Sequence, residues 1–396
     1  MTEPVVKGGD LRNDPALRVS AYFSCLFLGT GVAMPFLPHW LEEERGLSGL
    51  EIGIVLSAAA LSRIVVGPLI AAWADGFRDR RTPLLILPIA GAFAYAAFWQ
   101  SQGFLALLVT GFAAMVVTSA ITPLTEGAML RASATGRLPY GLARAFSSAA
   151  FIVGSLLGGL MVARFGADIA VLWVIASLIA TTAVGAVGLK SDAAPASAHT
   201  LGFRDRLRMG RGLLANRRFT MTILGCGLIQ AAHAFYYNFS TLAWERQGID
   251  PALTGGLWAI GVAAEIAFLA ALPAFERRMS PEALILLGAG AAVVRWSAFA
   301  LSPPLALIGP LQALHALTFA AAHVGALRVI HRETPESVAG LGQTFYAALA
   351  SGALMGLAAI GSGALYDWVG ANGYWAMAGL ALAGGLLIAH MMRKAD

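Results

Sequence analysis

The sequence predicts an all-α integral membrane protein with twelve transmembrane helices in two six-helix pseudo-repeats. Three observations carry this expectation. The 396 residues are 58% hydrophobic and only 12% charged, with a mean hydropathy of +0.71, far from the mix of a soluble domain. Apolar runs of about 20 residues, the length that crosses a bilayer, are centred near Phe27, Leu61, Ala92, Met115, Phe151, Ile179, Leu228, Ala264, Ala292, Leu317, Met355 and Leu382. Such runs are apolar on every face, as at 151–163, where barrel strands would alternate. The halves also repeat: Trp40 to Gly53 resembles Leu242 to Gly255 at an offset of 202 positions.

Taken in order, residues 1–16 form a polar tail, and the apolar run beyond it is too long for the core of a signal peptide. The tail is therefore expected to stay in the cytoplasm. Residues 17–189 hold the first six helices, 190–218 a cytoplasmic linker, 219–390 the second six, and 391–396 a cytoplasmic tail. The linker begins with Ala/Ser/Pro character and ends in a basic stretch. Basic residues mark alternate loops: Arg78, Arg80 and Arg81 after helix 2, Arg131 and Arg137 after helix 4, Arg277 and Arg278 after helix 8, Arg328 and Arg332 after helix 10. With both tails and the linker, that side holds 21 of the 27 Lys and Arg, against Arg45, Arg164 and Arg246 opposite. The bias puts both termini in the cytoplasm of a bacterial-type inner (plasma) membrane. It also accounts for the net charge of +5, with no aromatic-basic interleaving that would suggest nucleic acid.

Five ionisable residues fall inside the apolar runs: Arg63, Glu126, Arg144, Glu265 and Arg295, with His233, His315 and His323 beside them. A charge at this depth is costly and usually marks a substrate or ion pathway. Glu126 and Arg144 lie equally far from the middle of the loop between helices 4 and 5, so they reach similar depth on antiparallel neighbours and can pair. The pair is either a fixed interhelical bridge or a substrate-organising one, with Arg144 the natural bidentate anchor for a carboxylate. Glu265, Arg295 and His315 all approach the midplane on helices 8, 9 and 10. Burial favours the neutral form of Glu265 and an approaching Arg295 the charged one, which makes Glu265 the candidate proton site.

His315, Phe319 and His323 share one helix face, as do His233 and Tyr236. A lone helical histidine is more often a satisfied hydrogen bonder, the reading held for His233 and His323. Arg63 has no partner legible in sequence: it neutralises Glu265 across a cavity, helps bind an anion, or snorkels. Tyr22, Phe27, Phe36, Tyr237, Trp258, Trp296, Phe345 and Tyr346 are candidate aromatic walls. Cys25 and Cys226, inside helices, read as small buried residues.

Parallel six-helix repeats are one architecture of secondary transporters, with the solute site between the halves. The twelve spans and the Asp75-Gly-Phe-Arg-Asp-Arg-Arg81 loop resemble the major facilitator superfamily. The match keeps Asp75, Arg80 and Arg81, while Ala71, Gly76 and Arg78 depart from the family pattern, in which this loop is a charged gating latch. The segments 123–128, 140–146, 230–239 and 314–323 resemble the 3-phenylpropionate permease branch, akin to lactose permease and the nucleoside symporters. That resemblance implies a proton symporter for a small organic solute, an anionic aromatic acid. It implies substrate contacts by Glu126, Arg144, Arg63, Tyr236 and Tyr237, and proton coupling by Glu265, Arg295 and His315. His233, His323 and Thr318 complete a possible polar network. In lactose permease a second carboxylate follows the helix 10 histidine by one turn; Thr318 stands there in this chain. The alternatives are a proton symporter of an oligosaccharide or nucleoside, and an exporter of metabolites or drugs. The chain has no His-Glu-x-x-His, Gly-x-Ser-x-Gly, P-loop or cysteine cluster, so neither an enzyme nor a cofactor or metal is expected. Solute, protons and the bilayer are the expected partners, with the protein working as a monomer.

Overall fold

Helices are the only spanning solution open to so apolar a chain with no closed barrel, because each one satisfies its own backbone groups away from water. The computed structural model describes residues 14–193, 210–335 and 339–393. Residues 194–209 of the expected linker, and Lys7, Arg12 and Lys394, lie outside the described residues.

The first six helices are α1 (Pro15–Glu43), α2 (Gly49–Asp75), α3 (Arg81–Gln100), α4 (Phe104–Thr135), α5 (Tyr140–Phe165) and α6 (Asp168–Gly188). The second six are α7 (Arg217–Glu245), α8 (Pro251–Glu276), α9 (Pro281–Ala300), α10 (Leu305–Glu333), α11 (Ala339–Ala347 continuing through Ala348–Leu354 to Met355–Val369) and α12 (Tyr374–Arg393). Among the described residues ten stretches are long and apolar enough to cross a membrane; the last, Gly340–Arg393, is divided by the turn Gly370–Gly373 into α11 and α12. The helix α2 adds a further apolar rod. At 1.5 Å per residue, the 20 residues of α3 already match a ~30 Å hydrocarbon core. The chain is a multi-pass membrane protein.

Polar caps set the helix starts. Asp14 accepts from the Ala16 N–H at 2.8 Å to open α1. Ser48 and Glu51 form a capping box on α2, and Asn216, Asp250 and Ser280 cap α7, α8 and α9. Among the described residues three helices depart from regular winding. The helix α7 breaks at Ala232 and His233, while α10 and α11 each carry a π-helical stretch, Ala316–Ala321 and Ala348–Leu354. Such insertions re-aim the side chains that follow them.

Helices α1 to α6 pack mainly on one another, with α1 against α5 and α6 and α3 against α4 and α6, and α9 packs on α12 and α12 on α7 in the second set. Small residues let backbones approach: Gly31 of α1 lies against the Phe151 carbonyl of α5, and the Ser155 hydroxyl donates to the Gly31 carbonyl at 2.9 Å. The two sets meet through α2 on α11, α5 on α8 and α1 on α7. Gly159 faces Gly255 where α5 crosses α8, and Gly49 faces Gly363 where α2 crosses α11.

The bonds that join the sets cluster at one end, the one carrying the α1–α2, α5–α6 and α7–α8 loops. His39 pairs with Glu245 at 2.8 Å and Arg246 with Glu42 at 3.1 Å. The Asp367 carboxylate accepts from the Gly49 and Leu50 N–H groups at 2.7 and 2.8 Å, capping α2 from the opposite set. This end is closed.

Candidate functional site

The break in α7 builds the first part of the site. Where the helix turns, His233 aims Nδ1 at the Ile229 and Gln230 carbonyls, 3.2 Å from each. Carbonyls only accept, so Nδ1 carries the proton and Nε2 is an acceptor. The Thr318 hydroxyl, 3.0 Å from Nε2, is thereby the donor. Its oxygen in turn accepts from Arg295 Nη1 at 3.3 Å.

Arg295 is fully buried, and among the described residues no carboxylate lies within 4.0 Å of it. Neutral groups hold it. Its Nη2 donates to Gln312 Oε1 at 2.6 Å, and Nη1 faces His315 Nδ1 at 3.2 Å. The faces of Tyr236 and Trp296 lie 4.6 Å from its guanidinium carbon. Gln312 Nε2 donates to the Tyr236 hydroxyl at 2.8 Å and the Leu257 carbonyl at 2.9 Å, tying α7, α8 and α10 together. Because arginine only donates, His315 Nδ1 accepts and the Nε2 proton points away. Glu265 Oε2 stands 3.8 Å from that Nε2. Arg295 therefore reaches Glu265 through His315 and does not pair with it.

Across the gap between the sets, Arg144 Nε lies 3.5 Å from Glu126 Oε1, and Nη1 donates to the Ser147 hydroxyl at 3.1 Å. The guanidinium sits over Phe27 at 4.7 Å and Phe23 at 5.2 Å. Both members of the pair are partly exposed.

Beside this cluster lies a cavity of about 380 Å³, bounded by Leu26, Thr30, Met34, Tyr95, Met115 and Tyr237 among others. Its position follows from the helices: Thr122 on its wall is one turn from Glu126, and Leu26 and Thr30 flank Phe27. Tyr237 of α7 stands on its wall. Three wall hydroxyls are turned onto their own helices. Thr30 donates to the Leu26 carbonyl, Thr118 to Ala114 and Ser119 to Val116. The cavity presents mostly carbon, with Asn238 an amide among its lining residues that has no hydrogen-bond partner among the described residues.

Residues 17–377 match the MFS_1 like family. The chain belongs to that family. It is a major facilitator transporter and not an enzyme. A relative named "Probable 3-phenylpropionic acid transporter" from Escherichia coli (strain K12) is 30% identical over 367 residues, 91% of this chain and 93% of the relative. The maltose permease of Geobacillus stearothermophilus is 28% identical over 338 residues, covering 84% and 82% of the two chains. Among solved structures, a crystal structure of the nucleoside transporter NupG superposes with a TM-score of 0.82 at 15% identity, over 95% of this chain and 99% of that one. A bacterial homologue of the lysosomal transporter Spinster gives 0.75 at 12%, over 98% of each chain. These two likenesses show the fold.

The transporter's sequence-predicted residues divide into groups. Glu126 meets Arg144, and Glu265, His315, Arg295, Thr318 and His233 form one continuous chain. Tyr237 faces the cavity, while its neighbour Tyr236 is buried against Trp258 and serves Gln312 and Arg295. His323 lies past Phe319 in a ring stack that ends on Tyr346, apart from the hydrogen-bonded chain. The Arg63 side chain lies outside the described residues. Asp75 is exposed at the end of α2; in that loop Asp79 makes the contacts, accepting from the Arg81 and Asp192 N–H groups. Sequence reasoning missed Gln312 and Asn238. The available signal was a lone amide in an apolar run, three residues before His315 in one case and next to Tyr237 in the other.

Proposed function

We propose that this transporter carries a small aromatic carboxylate, of the 3-phenylpropionate type, inward together with a proton by alternating access. The observation that carries the reading is a carbon-walled cavity beside an arginine, Arg144, whose carboxylate partner Glu126 stands at 3.5 Å. A planar ring fills the cavity beside Tyr237, and the solute's carboxylate takes the bidentate face of Arg144. With Arg144 engaged by the solute, Glu265 takes up the proton on its own carboxyl, which stands 3.8 Å from the His315 Nε2–H. Solute and proton then enter together. The resemblance of the relatives supports the substrate class.

The two sets of helices rock about this site. In the structure the end with the His39–Glu245 and Arg246–Glu42 pairs is closed, and the Lys/Arg bias supports that end as the outer one, with both termini in the cytoplasm of an inner membrane. The protein acts as a monomer, the site being complete within one chain.

External pH in a lightly buffered suspension of de-energised cells tests the reading. Alkalinisation on adding 3-phenylpropionate, dependent on the protein, supports it. A response only to a disaccharide or a nucleoside refutes it in favour of a neutral-solute symporter, the reading that the maltose permease relative favours. In Glu265→Gln, proton-driven accumulation falls while exchange at equal concentrations survives; normal accumulation removes Glu265 from coupling.

A further inference from the structure

A second cavity, of about 390 Å³, lies away from the solute site, at the end of the first set where α1, α3 and α4 meet the segment after α6. Its wall carries five cations, Arg18, Arg80, Arg81, Arg131 and Lys190, against one carboxylate, Asp192. Asp192 is already committed: its carboxylate binds Arg131 Nε at 2.9 Å and Nη2 at 2.8 Å. Arg18 and Arg81 also donate to the Gly188 and Ala186 carbonyls at the cavity wall. Among the described residues the Arg80 and Lys190 side chains have no partner. The helix α3, 20 residues long, opens at this cavity.

The mouth is also held in shape. Asp79 accepts from the Arg81 N–H at 2.9 Å and the Asp192 N–H at 3.0 Å, and the Arg80 N–H donates to the Asp192 carbonyl at 3.0 Å. These bonds join the α2–α3 loop to residues 192 and 193 as a short antiparallel bridge. A rigid cavity onto which Arg80 and Lys190 bring cations with no carboxylate partner among the described residues matches one chemistry: an oxyanion with several acceptor oxygens.

We propose that this cavity binds a phosphate group, supplied by an anionic lipid headgroup or by a soluble phosphate compound, at a site distinct from the solute pathway. The positive-inside rule explains why cations stand at this end, but it does not require five of them to surround one cavity. A bound phosphate would bridge α1, α3, α4 and the start of the inter-set segment.

The test titrates the purified full-length protein with phosphatidylglycerol, phosphatidylcholine, inorganic phosphate and glycerol phosphate, reading lipid retention by native mass spectrometry and melting temperature. Each cation facing an anionic headgroup is worth about fivefold, so Arg80→Gln/Lys190→Gln is expected to weaken phosphatidylglycerol binding by roughly 25-fold. Arg164→Gln/Arg277→Gln removes equal charge elsewhere and is expected to change it little. Retention of phosphatidylglycerol with no response to free phosphate assigns the site to lipid; stabilisation by phosphate or glycerol phosphate that the first variant abolishes assigns it to a soluble ligand. Equal binding by the two variants, or phosphatidylcholine retained as well as phosphatidylglycerol with no response to phosphate, overturns the proposal. Should the double variant fail to fold, Lys190→Glu, at an exposed position, carries the same comparison.

Discussion

Adding one methyl group at Gly255 should open the closed end of the transporter. A Cβ there meets the Ser155 carbonyl oxygen of α5 head on, stands 3.0 Å from the carbonyl carbon and lies 3.3 Å from the Gly159 Cα. All three contacts are backbone, so no side chain can swing away. Restoring ordinary separation requires α5 and α8 to part by on the order of 1 Å. Overpacking of this kind costs about 1–3 kcal/mol, and the cost falls only on the conformation in which these helices touch. The gain in helix propensity from Gly to Ala acts on both conformations alike. The equilibrium between closed and open states should therefore shift by about 5- to 150-fold. Spin labels on cysteines at Glu44 and Gln247, exposed positions of opposite sets near this end, report the change as a longer distance in Gly255→Ala. The native Cys25 and Cys226 are replaced first. An unchanged distance distribution refutes the argument, because it means that the α5–α8 contact does not set the closed state.

Other consequences follow from single residues. Arg144→Lys keeps the charge but loses the planar fork, so affinity for an aromatic acid should fall about tenfold; unchanged affinity moves the anchor to Arg63. Gln312→Leu leaves an Arg295 N–H and the Tyr236 hydroxyl without their partner and should destabilise the protein by about 2 kcal/mol, read as a lowered melting temperature. At Asp14, burial raises the carboxyl pKa, but N–H donors from Arg137, Ala16, Leu17 and Leu138 outweigh it and hold the group below its ordinary value. A lowered folded value stabilises above the unfolded value and is lost as pH falls through the folded one. The gap in melting temperature between wild type and Asp14→Asn should thus narrow below about pH 4; a constant gap refutes the assignment.

Much of the fold was legible because lipid imposes one demand, a long apolar helix, that sequence satisfies locally. Each expected span centre falls within a described helix. The Glu126–Arg144 pair was equally legible, since equal distances from one short loop fix relative depth. The irregular places were not. The break at His233 and the π stretch after His315 depend on bonds between helices, such as Thr318 to His233, that no local propensity encodes. Just past the break, Tyr237 faces the cavity while Tyr236 turns into the bundle. Helix periodicity alone could not separate two adjacent tyrosines. The closed-end pairs His39–Glu245 and Arg246–Glu42 escaped for another reason: they join residues some 200 positions apart through loops whose packing is tertiary.

The cation with no carboxylate is the sharpest departure from the resemblance, and it bears on substrate choice. Arg295 keeps its full charge because Gln312, His315 and Thr318 solvate it without neutralising it. That leaves the interior one positive charge richer than a site with a carboxylate at position 318. A unit charge acting over about 10 Å at an effective dielectric of 20 is worth about 1.7 kcal/mol, or some 15-fold in affinity. Thr318→Asp places a carboxylate beside Arg295 Nη1, which lies 3.3 Å from the present hydroxyl. If surplus positive charge favours anions, the variant should lose about that factor for an aromatic carboxylate and little for its uncharged amide, measured side by side. Equal loss for both ligands would show that the substitution disturbs packing around His233 and that the charge of Arg295 has no part in selecting an anion.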